Sequence, residues 1–512
     1  MRTAAALVVL VWACVCACVY AEEGVLSFTR VPPQQSGLTD KIEISTNEKP
    51  AGIKWPWMSP PVDINRDGHL DILWYGHHGG GAGIWLGKGD GTFTFDGHDY
   101  NKRWVFAARD PVWWDVNGDG FVDAVGTEHK PAGWLFLNDG TGHWKQTDVR
   151  MGLGMFVDAD GDGHLDEYFT RKDFQSIEPR LRDWGGKVPA KVAFQPLWKP
   201  EDAVGWPEDV PRQGTGSGSF SYAHSVDLDG DDTNEMVLNF TIGLGSDRIR
   251  GWVIRRDPAS KCGWKDVTAA RGLPTGAGHW FFPEDLDVDG DLDLIDLRTG
   301  LWYVNDGKGS FQESPKRIFN PETRRRKAPW DGDGEFEMLD LTNDGYRDLV
   351  FSGEHTTASG VFLNLGDAKF VEPRDNPIPG SRRDGKFGDM DGDYDIDVLA
   401  ANGKTGEMTL LRNDTTNAGL ALRLVPKAPA EAALGSKVWV WRAGMLGEPK
   451  GLLHYRQWFM ERFVTRRNVL VPLLHVGLGS VDAVDVRVRF PSGVVREVKG
   501  VKARTAVEVR EN

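Results

Sequence analysis

Short apolar runs separated by turns rich in glycine and aspartate make up most of this sequence, and no long amphipathic helical pattern interrupts them. Runs such as Asp71-Ile-Leu-Trp-Tyr75 and Asp348-Leu-Val-Phe351 have the length and the aromatic and β-branched residues of strands. Other apolar runs, such as Met155-Phe-Val157 and His279-Trp-Phe-Phe282, stand directly before the turns. The pattern predicts an all-β protein with many short strands.

The turns repeat one acidic motif, of which the sequence contains seven copies. Oxygen-bearing side chains stand at positions 1, 3, 5 and 9, and position 6 is mostly a glycine, where a tight turn requires a positive φ. Alternate oxygen ligands of this kind suit a hard cation, so we predict up to seven structural calcium ions. The predicted ligands are Asp63, Asn65, Asp67 and Asp71 in acidic loop 1; Asp115, Asn117, Asp119 and Asp123 in loop 2; Asp158, Asp160, Asp162 and Asp166 in loop 3; Asp227, Asp229, Asp231 and Glu235 in loop 4; Asp285, Asp287, Asp289 and Asp293 in loop 5; Asp340, Thr342, Asp344 and Asp348 in loop 6; and Asp389, Asp391, Asp393 and Asp397 in loop 7.

These loops differ from the EF-hand, whose twelfth position is a bidentate Glu and whose flanks are helices. The twelfth position never holds a Glu in the seven copies, and strand-like runs follow the ninth. Loops 4, 6 and 7 depart from the motif because Asp232 and Tyr394 replace the glycine and Thr342 replaces an acid. Metal binding is therefore expected less in these three than in the other loops, and least of all in loops 6 and 4.

The spacing of the loops predicts the architecture. Successive first aspartates are 52, 43, 69, 58, 55 and 49 residues apart, which is about the length of a four-stranded propeller blade. Hairpins with Asn-Asp-Gly or Gly-Asp-Gly turns follow several loops. We predict a seven-bladed β-propeller over residues 22–416, in which Leu26–Val31 supplies the outer strand of the last blade. Tryptophans in these runs are expected to pack between blades. Residues 171–219 form an insertion, either a binding loop or a solvated one.

The first 21 residues have the features of a cleaved export signal: Arg2, an apolar core and the small-residue site Val19-Tyr-Ala21. Lipid attachment at Cys18 is an alternative. Removal of this segment leaves Cys262 as the only cysteine, so the mature chain forms no internal disulfide. We expect a secreted, periplasmic or cell-surface protein without a transmembrane span, in which calcium replaces disulfides as the cross-link.

Charge agrees with this expectation. The formal net charge is −15, and about a third of the acidic residues belong to the seven loops. Bound calcium would relieve the repulsion between those carboxylates. An acidic chain of this kind also argues against nucleic acid as a partner.

Residues 417–512 have a different pattern: alternating strands such as Leu420–Val425 and Lys437–Arg442, which predict a small β-rich domain. The loops and hairpins of residues 50–413 resemble FG-GAP/VCBS repeats, and this last segment resembles the ASPIC/UnbV domain at Ala433-Leu-Gly435, His475-Val-Gly-Leu-Gly479 and Phe490-Pro-Ser-Gly493. The order of the two resembles the cartilage acidic protein family and its bacterial relatives. That resemblance implies an extracellular calcium-binding protein with a matrix or adhesion role, and no reaction.

No catalytic constellation is evident in the sequence. His77-His78 beside a glycine run lacks a phosphate-binding pattern, Ser217 lacks a nucleophile elbow, and His475 is expected in a turn with a structural hydrogen bond. Arg324-Arg-Arg-Lys327 is a solvated loop or a docking point for an anionic polysaccharide. We therefore predict a binding scaffold for an extracellular protein or glycan rather than an enzyme. The alternative is a carbohydrate-directed protein, a lectin or polysaccharide lyase, that uses the propeller face opposite the acidic loops.

Overall fold

A computed structural model of the chain provides the structure. It describes residues 26–40, 56–59, 61–76, 82–99, 112–115, 117, 119–126, 133–151, 155–157, 166–168, 221–241, 249–260, 263–320, 334–353, 360–366, 369–373, 384–401, 405–427, 433–459, 468–469 and 473–512. Several predictions lie outside these residues. They concern the export signal, Cys262, the 171–219 insertion with Ser217, His77-His78, the basic run at 324–327 and the loop-3 residues Asp158, Asp160 and Asp162.

Small antiparallel sheets contain most of the described residues between positions 26 and 413, and each described acidic loop connects two neighbouring strands of one sheet. The first strand of the chain, β1, is Phe28–Val31. The strands that follow are β2 (Pro56–Met58), β3 (Ile72–Gly76), β4 (Ala82–Gly87) and β5 (Phe93–Asp99) in sheet 1; β6 (Val112–Trp114), β7 (Asp123–Gly126), β8 (Gly133–Asn138) and β9 (Trp144–Met151) in sheet 2; β10 (Met155–Val157) and β11 (Asp166–Tyr168) in sheet 3; β12 (Ser221–Val226), β13 (Glu235–Thr241), β14 (Ile249–Arg256) and β15 (Trp264–Asp266) in sheet 4; β16 (Phe281–Glu284), β17 (Asp293–Asp296), β18 (Leu301–Asn305) and β19 (Phe311–Arg317) in sheet 5; β20 (Gly334–Leu339), β21 (Asp348–Gly353), β22 (Gly360–Asn364) and β23 (Phe370–Val371) in sheet 6; and β24 (Asp384–Gly388), β25 (Asp397–Ala401) and β26 (Met408–Asn413) in sheet 7.

The N-terminal strand completes the last of these sheets, as the sequence predicted. Strand β1 pairs antiparallel with β26, with Phe28 opposite Asn413 and Val31 opposite Leu410. It thus covers an edge that would otherwise be open to pairing with another chain. Sheet 7 also contacts sheet 1, where Gly91 N donates to Met390 O over 3.0 Å, so the first and last sheets are neighbours.

The core lies between neighbouring sheets. Trp74 of sheet 1 is fully buried against sheet 7, and its Nε1 lies 3.0 Å from Met408 Sδ. A larger cluster joins sheets 4, 5 and 6 and includes the buried Trp252, Phe282 and Phe336. The expectation that aromatic side chains pack between sheets is confirmed for these residues. The protein is all-β with several small sheets. The number of blades stays a prediction.

The C-terminal unit, defined here as residues 417–512, contains two sheets that pack face to face around an apolar core, which also includes Leu135 of sheet 2. Sheet 8 has the order β31 (Leu473–Gly479), β27 (Ala418–Val425), β34 (Ala506–Arg510), and sheet 9 has the order β29 (Leu452–Gln457), β28 (Lys437–Arg442), β32 (Ala483–Arg489), β33 (Val495–Lys502). The predicted strands at Leu420–Val425 and Lys437–Arg442 are confirmed. The prediction for His475 is wrong, because it lies within β31 rather than in a turn.

The C-terminal unit also adds a strand to sheet 2, since β30 (Asn468–Val469) pairs parallel with β6. Helical structure among the described residues amounts to α1 (Pro33–Ser36) and two 3-10 turns, Ala269–Arg271 and Pro449–Gly451. None of the helices in the described part of the chain has the length and apolar character needed to cross a membrane.

Candidate metal centres

In each described loop, the carboxylate of the first aspartate accepts backbone N–H groups from residues further along the same turn. In loop 1, Asp63 Oδ1 accepts the Asp67 N–H over 3.1 Å and Oδ2 accepts the Gly68 N–H over 2.9 Å. Loops 2, 5 and 6 repeat this pair of bonds through Asp115, Asp285 and Asp340. The carboxylate thus fixes the positions from which alternate side chains converge.

The requirement for a positive φ at position 6 is confirmed. Gly68 has a φ of 92°, and Asp232 and Tyr394, which replace the glycine, still adopt φ values of 68° and 70°. Position 4 is left-handed as well, with a φ of 62° at Arg66 and 60° at Val288. The sequence analysis missed this second position, because residues with a Cβ rarely adopt such values.

The ninth residue is buried and joins its loop to the third strand of the same sheet. Asp71 Oδ2 accepts the Ile64 N–H over 2.9 Å, and Oδ1 accepts the Gly87 N–H over 2.8 Å. Asp293, Asp348 and Asp397 form equivalent pairs of bonds. An ionised carboxylate has about four acceptor positions, so each of these residues keeps lone pairs for an ion.

A recurring asparagine at the end of the third strand ties neighbouring sheets together, and the sequence analysis did not identify it. Asn305 Nδ2 donates to Leu292 O in its own loop and to Leu228 O in loop 4, over 2.9 Å and 2.8 Å. Asn138 and Asn413 bridge loops 1–2 and loops 6–7 in the same way. The available signal was the repeated Asn before the hairpin turn, as in Asn138-Asp-Gly and Asn305-Asp-Gly.

Three loops bring carboxylate oxygens within 4.8 Å of one another, close enough to hold a metal ion. The groups are Asp285, Asp287 and Asp289 in loop 5; Asp389, Asp391 and Asp397 in loop 7; and Asp227, Asp229 and Glu235 in loop 4. In loops 1 and 2 an asparagine takes position 3, and Asn65 Nδ2 and Asn117 Nδ2 donate to Asp67 and Asp119.

Burial and mutual repulsion disfavour the ionised carboxylates of loops 5 and 7. Burial, followed by neighbouring aspartates, raises the pKa of Asp293 to about 8, although backbone N–H groups oppose the shift. The pKa of Asp397 is raised to about 8 by burial and by Asp391 and Asp393, and that of Asp391 to about 6. Burial and nearby aspartates also raise the pKa of Asp340 and Asp348 in loop 6. A bound cation would favour the ionised forms.

The residues of loops 5 and 7 fit a calcium ion. Asp391 Oδ1 is buried without a hydrogen-bond partner, as expected of an oxygen that is aimed at an ion. The donor set in both loops consists of carboxylates, which calcium prefers.

Loop 4 is different because cationic side chains already lie on its carboxylates. Arg271 Nη2 is 2.7 Å from Asp229 Oδ2 and 2.6 Å from Glu235 Oε1, and Arg255 contacts both Asp229 and Asp231. Burial raises the pKa of Glu235 to about 7, while Arg271 opposes that shift. Asp229 Oδ1 is buried without a hydrogen bond, as is Asp391 Oδ1 in loop 7.

The C-terminal unit lies over the acidic loops. In loop 6, Gly479 N donates to Asn343 O over 2.6 Å, and Asn417 Nδ2 donates to Thr342 O over 2.8 Å. In loop 7, His475 Nε2 donates to Tyr394 O over 3.0 Å. The structural hydrogen bond predicted for His475 is thus present. The sequence analysis did not predict that this unit would dock on the acidic loops.

A cavity of about 790 Å³ lies between the sheets and the C-terminal unit, lined by loop residues such as Asp340 and Tyr394 and by His454 and His475. Burial lowers the pKa of both histidines to about 4, despite a hydrogen bond from each to a backbone carbonyl. Both imidazoles are therefore neutral at pH 7.

Residues 63–126, which span loops 1 and 2, match the FG-GAP-like repeat. The chain contains an FG-GAP-like repeat. This agrees with a β-propeller scaffold. The ASPIC/UnbV resemblance stays a prediction. No curated protein matches the sequence significantly.

Solved structures with a similar fold include a lectin of Agrocybe aegerita that recognises non-reducing terminal N-acetylglucosamine, at 20% identity over 61% of this chain and 79% of the lectin, with a TM-score of 0.39. Rhamnogalacturonan lyase YesW is similar at 14% identity over 75% of each chain, with a TM-score of 0.33. A prolyl endopeptidase is similar at 12% identity over 85% of this chain and 54% of its own, with a TM-score of 0.32. Similarity at these TM-scores says nothing about a shared function.

Proposed function

We propose that this protein is an exported, calcium-binding scaffold: a seven-bladed β-propeller whose loop-bound ions hold the blades together and fix the C-terminal unit over them. The scaffold then presents its remaining surface to an extracellular protein or glycan. No reaction is proposed. The formal net charge of −15 and the leader-like first 21 residues support export and calcium binding.

The observation that carries the proposal is the geometry of loop 7. Oxygens of Asp389, Asp391 and Asp397 converge within 4.8 Å, Asp391 Oδ1 has no hydrogen-bond partner, and burial disfavours the charges. Such a group of buried carboxylates is costly unless a cation neutralises it. Calcium, when bound, would supply that charge.

Loop 5 would hold an ion through Asp285, Asp287, Asp289 and Asp293, and loop 6 through Asp340, Thr342, Asp344 and Asp348. The C-terminal unit bonds to backbone carbonyls of loops 6 and 7, at Thr342, Asn343 and Tyr394. An ion that fixes these loops would therefore also fix the surface on which the unit docks. Calcium is in this way linked to the stability of both parts.

The test is calcium titration by isothermal calorimetry, together with thermal melting in calcium and in EDTA. We expect calcium to raise the melting temperature and Asp391→Ala to lower the number of bound ions by one. Glu313→Ala is the matched control, because it removes a carboxylate from an exposed position on outer strand β19. A melting temperature that is the same in calcium and EDTA, with no heat of binding, would overturn the proposal.

A further inference from the structure

We propose that acidic loop 4 does not bind calcium, because the protein supplies the cations itself, and that the loop acts as a calcium-independent clasp for the C-terminal unit. This inference rests on the proposed function only in treating the other loops as calcium sites. Loops 4, 5 and 7 all have a converging group of carboxylates, but only loops 5 and 7 are then calcium sites.

Two arginines lie against the carboxylates that would bind an ion in loop 4. Arg255 belongs to strand β14 of sheet 4, and Arg271 to the 3-10 turn that follows this sheet. Arg271 Nη2 bridges Asp229 Oδ2 and Glu235 Oε1, which are the position-3 and position-9 groups, and its side chain is only 9% exposed. Arg255 Nη1 lies 2.9 Å from the same Asp229 Oδ2, and Arg255 also contacts Asp231. A calcium ion could take these oxygens only by displacing both guanidinium groups.

The C-terminal unit supplies the remaining contacts from one row of its sheet 9. Gln457, Lys437 and Arg489 are directly opposite one another on β29, β28 and β32. Lys437 Nζ lies 2.5 Å from Asp227 Oδ2 and 2.9 Å from Asp232 Oδ1, and Arg489 Nη1 lies 2.6 Å from Asp232 Oδ1. Gln457 Oε1 accepts the Asp227 N–H over 2.8 Å.

This row explains why loop 4 departs from the repeated motif. Asp232 stands where most loops have glycine, and it keeps the left-handed backbone with a φ of 68°. Its carboxylate receives Lys437 and Arg489 of the C-terminal unit. The replacement of glycine by Asp232 thus makes the turn less favourable but adds two ion pairs between loop 4 and the C-terminal unit.

Charge separates loop 4 from loop 7. Four cationic side chains, Arg255, Arg271, Lys437 and Arg489, face the acids of loop 4. Within the described part of the chain, no lysine or arginine forms an ion pair with Asp389, Asp391 or Asp397 of loop 7. Asp229 Oδ1 lacks a hydrogen bond, but a divalent ion there would meet guanidinium groups already held on Oδ2. Like-charge repulsion at such distances opposes binding.

The experiment counts calcium ions on the full chain by native mass spectrometry for the wild type, Asp229→Ala and Asp391→Ala. We expect Asp391→Ala to lose one ion and Asp229→Ala to lose none. Loss of one ion in Asp229→Ala would overturn the inference. The double variant Arg255→Gln/Arg271→Gln, checked for folding by circular dichroism, is expected to bind one ion more than the wild type. A folded double variant with an unchanged count would contradict the exclusion of calcium by the two arginines.

Melting in EDTA tests the clasp independently of any calcium binding. We expect Asp232→Asn to lower the melting temperature by a few degrees, and to the same extent in EDTA and in calcium, because Lys437 and Arg489 of the C-terminal unit lose an ion-pair partner. Asp391→Ala should not lower it in EDTA, because it removes repulsion. If the wild type bound no calcium, the proposed function would fail, while this contrast in EDTA would still support the clasp. An unchanged melting temperature for Asp232→Asn in EDTA would overturn it.

Discussion

Lys437 Nζ lies 2.5 Å from Asp227 Oδ2, which joins the first residue of a strand in the C-terminal unit to the first residue of acidic loop 4. The two residues are 210 positions apart in the chain. The side chain of Lys437 is 10% exposed, and that of Asp227 is fully buried. The pair therefore holds the C-terminal unit to the loop face in a place largely shielded from solvent.

We predict that Lys437→Met destabilises the protein by about 3 kcal/mol, because a buried carboxylate loses its charged partner. The measurement is chemical unfolding followed by tryptophan fluorescence, in EDTA. Lys499→Met is the control, since Lys499 is exposed on β33 and its replacement should change the free energy of unfolding by less than about 0.5 kcal/mol. Equal stability of the two variants would contradict the role of the pair.

The sequence predicted the features of residues 26–413 that depend on local spacing. The acidic turns, the strands around them and the left-handed position 6 all follow from residues within one repeat. The pairing of β1 with β26 followed from counting strands, because an unpaired edge is unfavourable. The contacts between loops 4, 6 and 7 and the C-terminal unit could not be predicted, because no local pattern specifies which distant surface a strand covers. The ion pair between Lys437 and Asp232 is visible only in the folded structure, which brings the two distant residues together.

Asn305 provides a second prediction, concerning the bonds between neighbouring sheets. Its Nδ2 group donates to carbonyls of loops 4 and 5, and both of these carbonyls would lose a partner in Asn305→Ala. We expect a loss of about 2–3 kcal/mol in the free energy of unfolding, since a buried hydrogen bond contributes about 1 kcal/mol and orphaned groups add to this. Gln312→Ala, at an exposed position on β19, should be close to neutral. If Asn305→Ala left the free energy of unfolding unchanged, the bridge would not stabilise the packing of the two sheets.

Gly477 of β31 provides a third prediction, because its backbone lies directly against loop 6. A Cβ at this position would be 1.9 Å from Asp340 Oδ2 and 2.7 Å from the Cα of Asn343. Gly477→Ala should therefore push the C-terminal unit away from the loop, with a loss of more than about 3 kcal/mol in stability and weaker calcium binding. Gly385→Ala is the control, since its nearest neighbour would be an ordinary 3.7 Å away. Calorimetric titration and melting of both variants measure the differences in calcium binding and stability. A Gly477→Ala protein with wild-type calcium binding would contradict the link between loop 6 and docking of the C-terminal unit.

Calcium should remove much of the loss of stability that rising pH causes in the calcium-free protein. Asp293 and Asp397 have folded-state pKa values of about 8, above the ordinary value of 3.8, because they are buried among other acids. Without calcium the folded state then binds more protons than the unfolded state, so the stability that these groups add at low pH is lost as the pH rises toward 8. Between pH 6.5 and 8 we expect a loss of about 1–2 kcal/mol per carboxylate in EDTA.

The two buried histidines make stability fall as the pH decreases, whereas the carboxylates make it fall as the pH increases, and the two effects lie in different pH ranges. His454 and His475 have pKa values of about 4, so their contribution to stability is lost as the pH falls from about 6.5 toward 4. Above pH 6.5 the change in stability therefore comes from the carboxylates and not from these histidines. Calcium needs ionised ligands, so the rise in melting temperature that it produces should be larger at pH 8 than at pH 6.5. Melting curves at both pH values, in EDTA and in calcium, test this directly. A calcium-free protein that gains stability between pH 6.5 and 8 would show that these buried carboxylates are ionised without an ion, and would remove the electrostatic reason for placing calcium in loops 5 and 7.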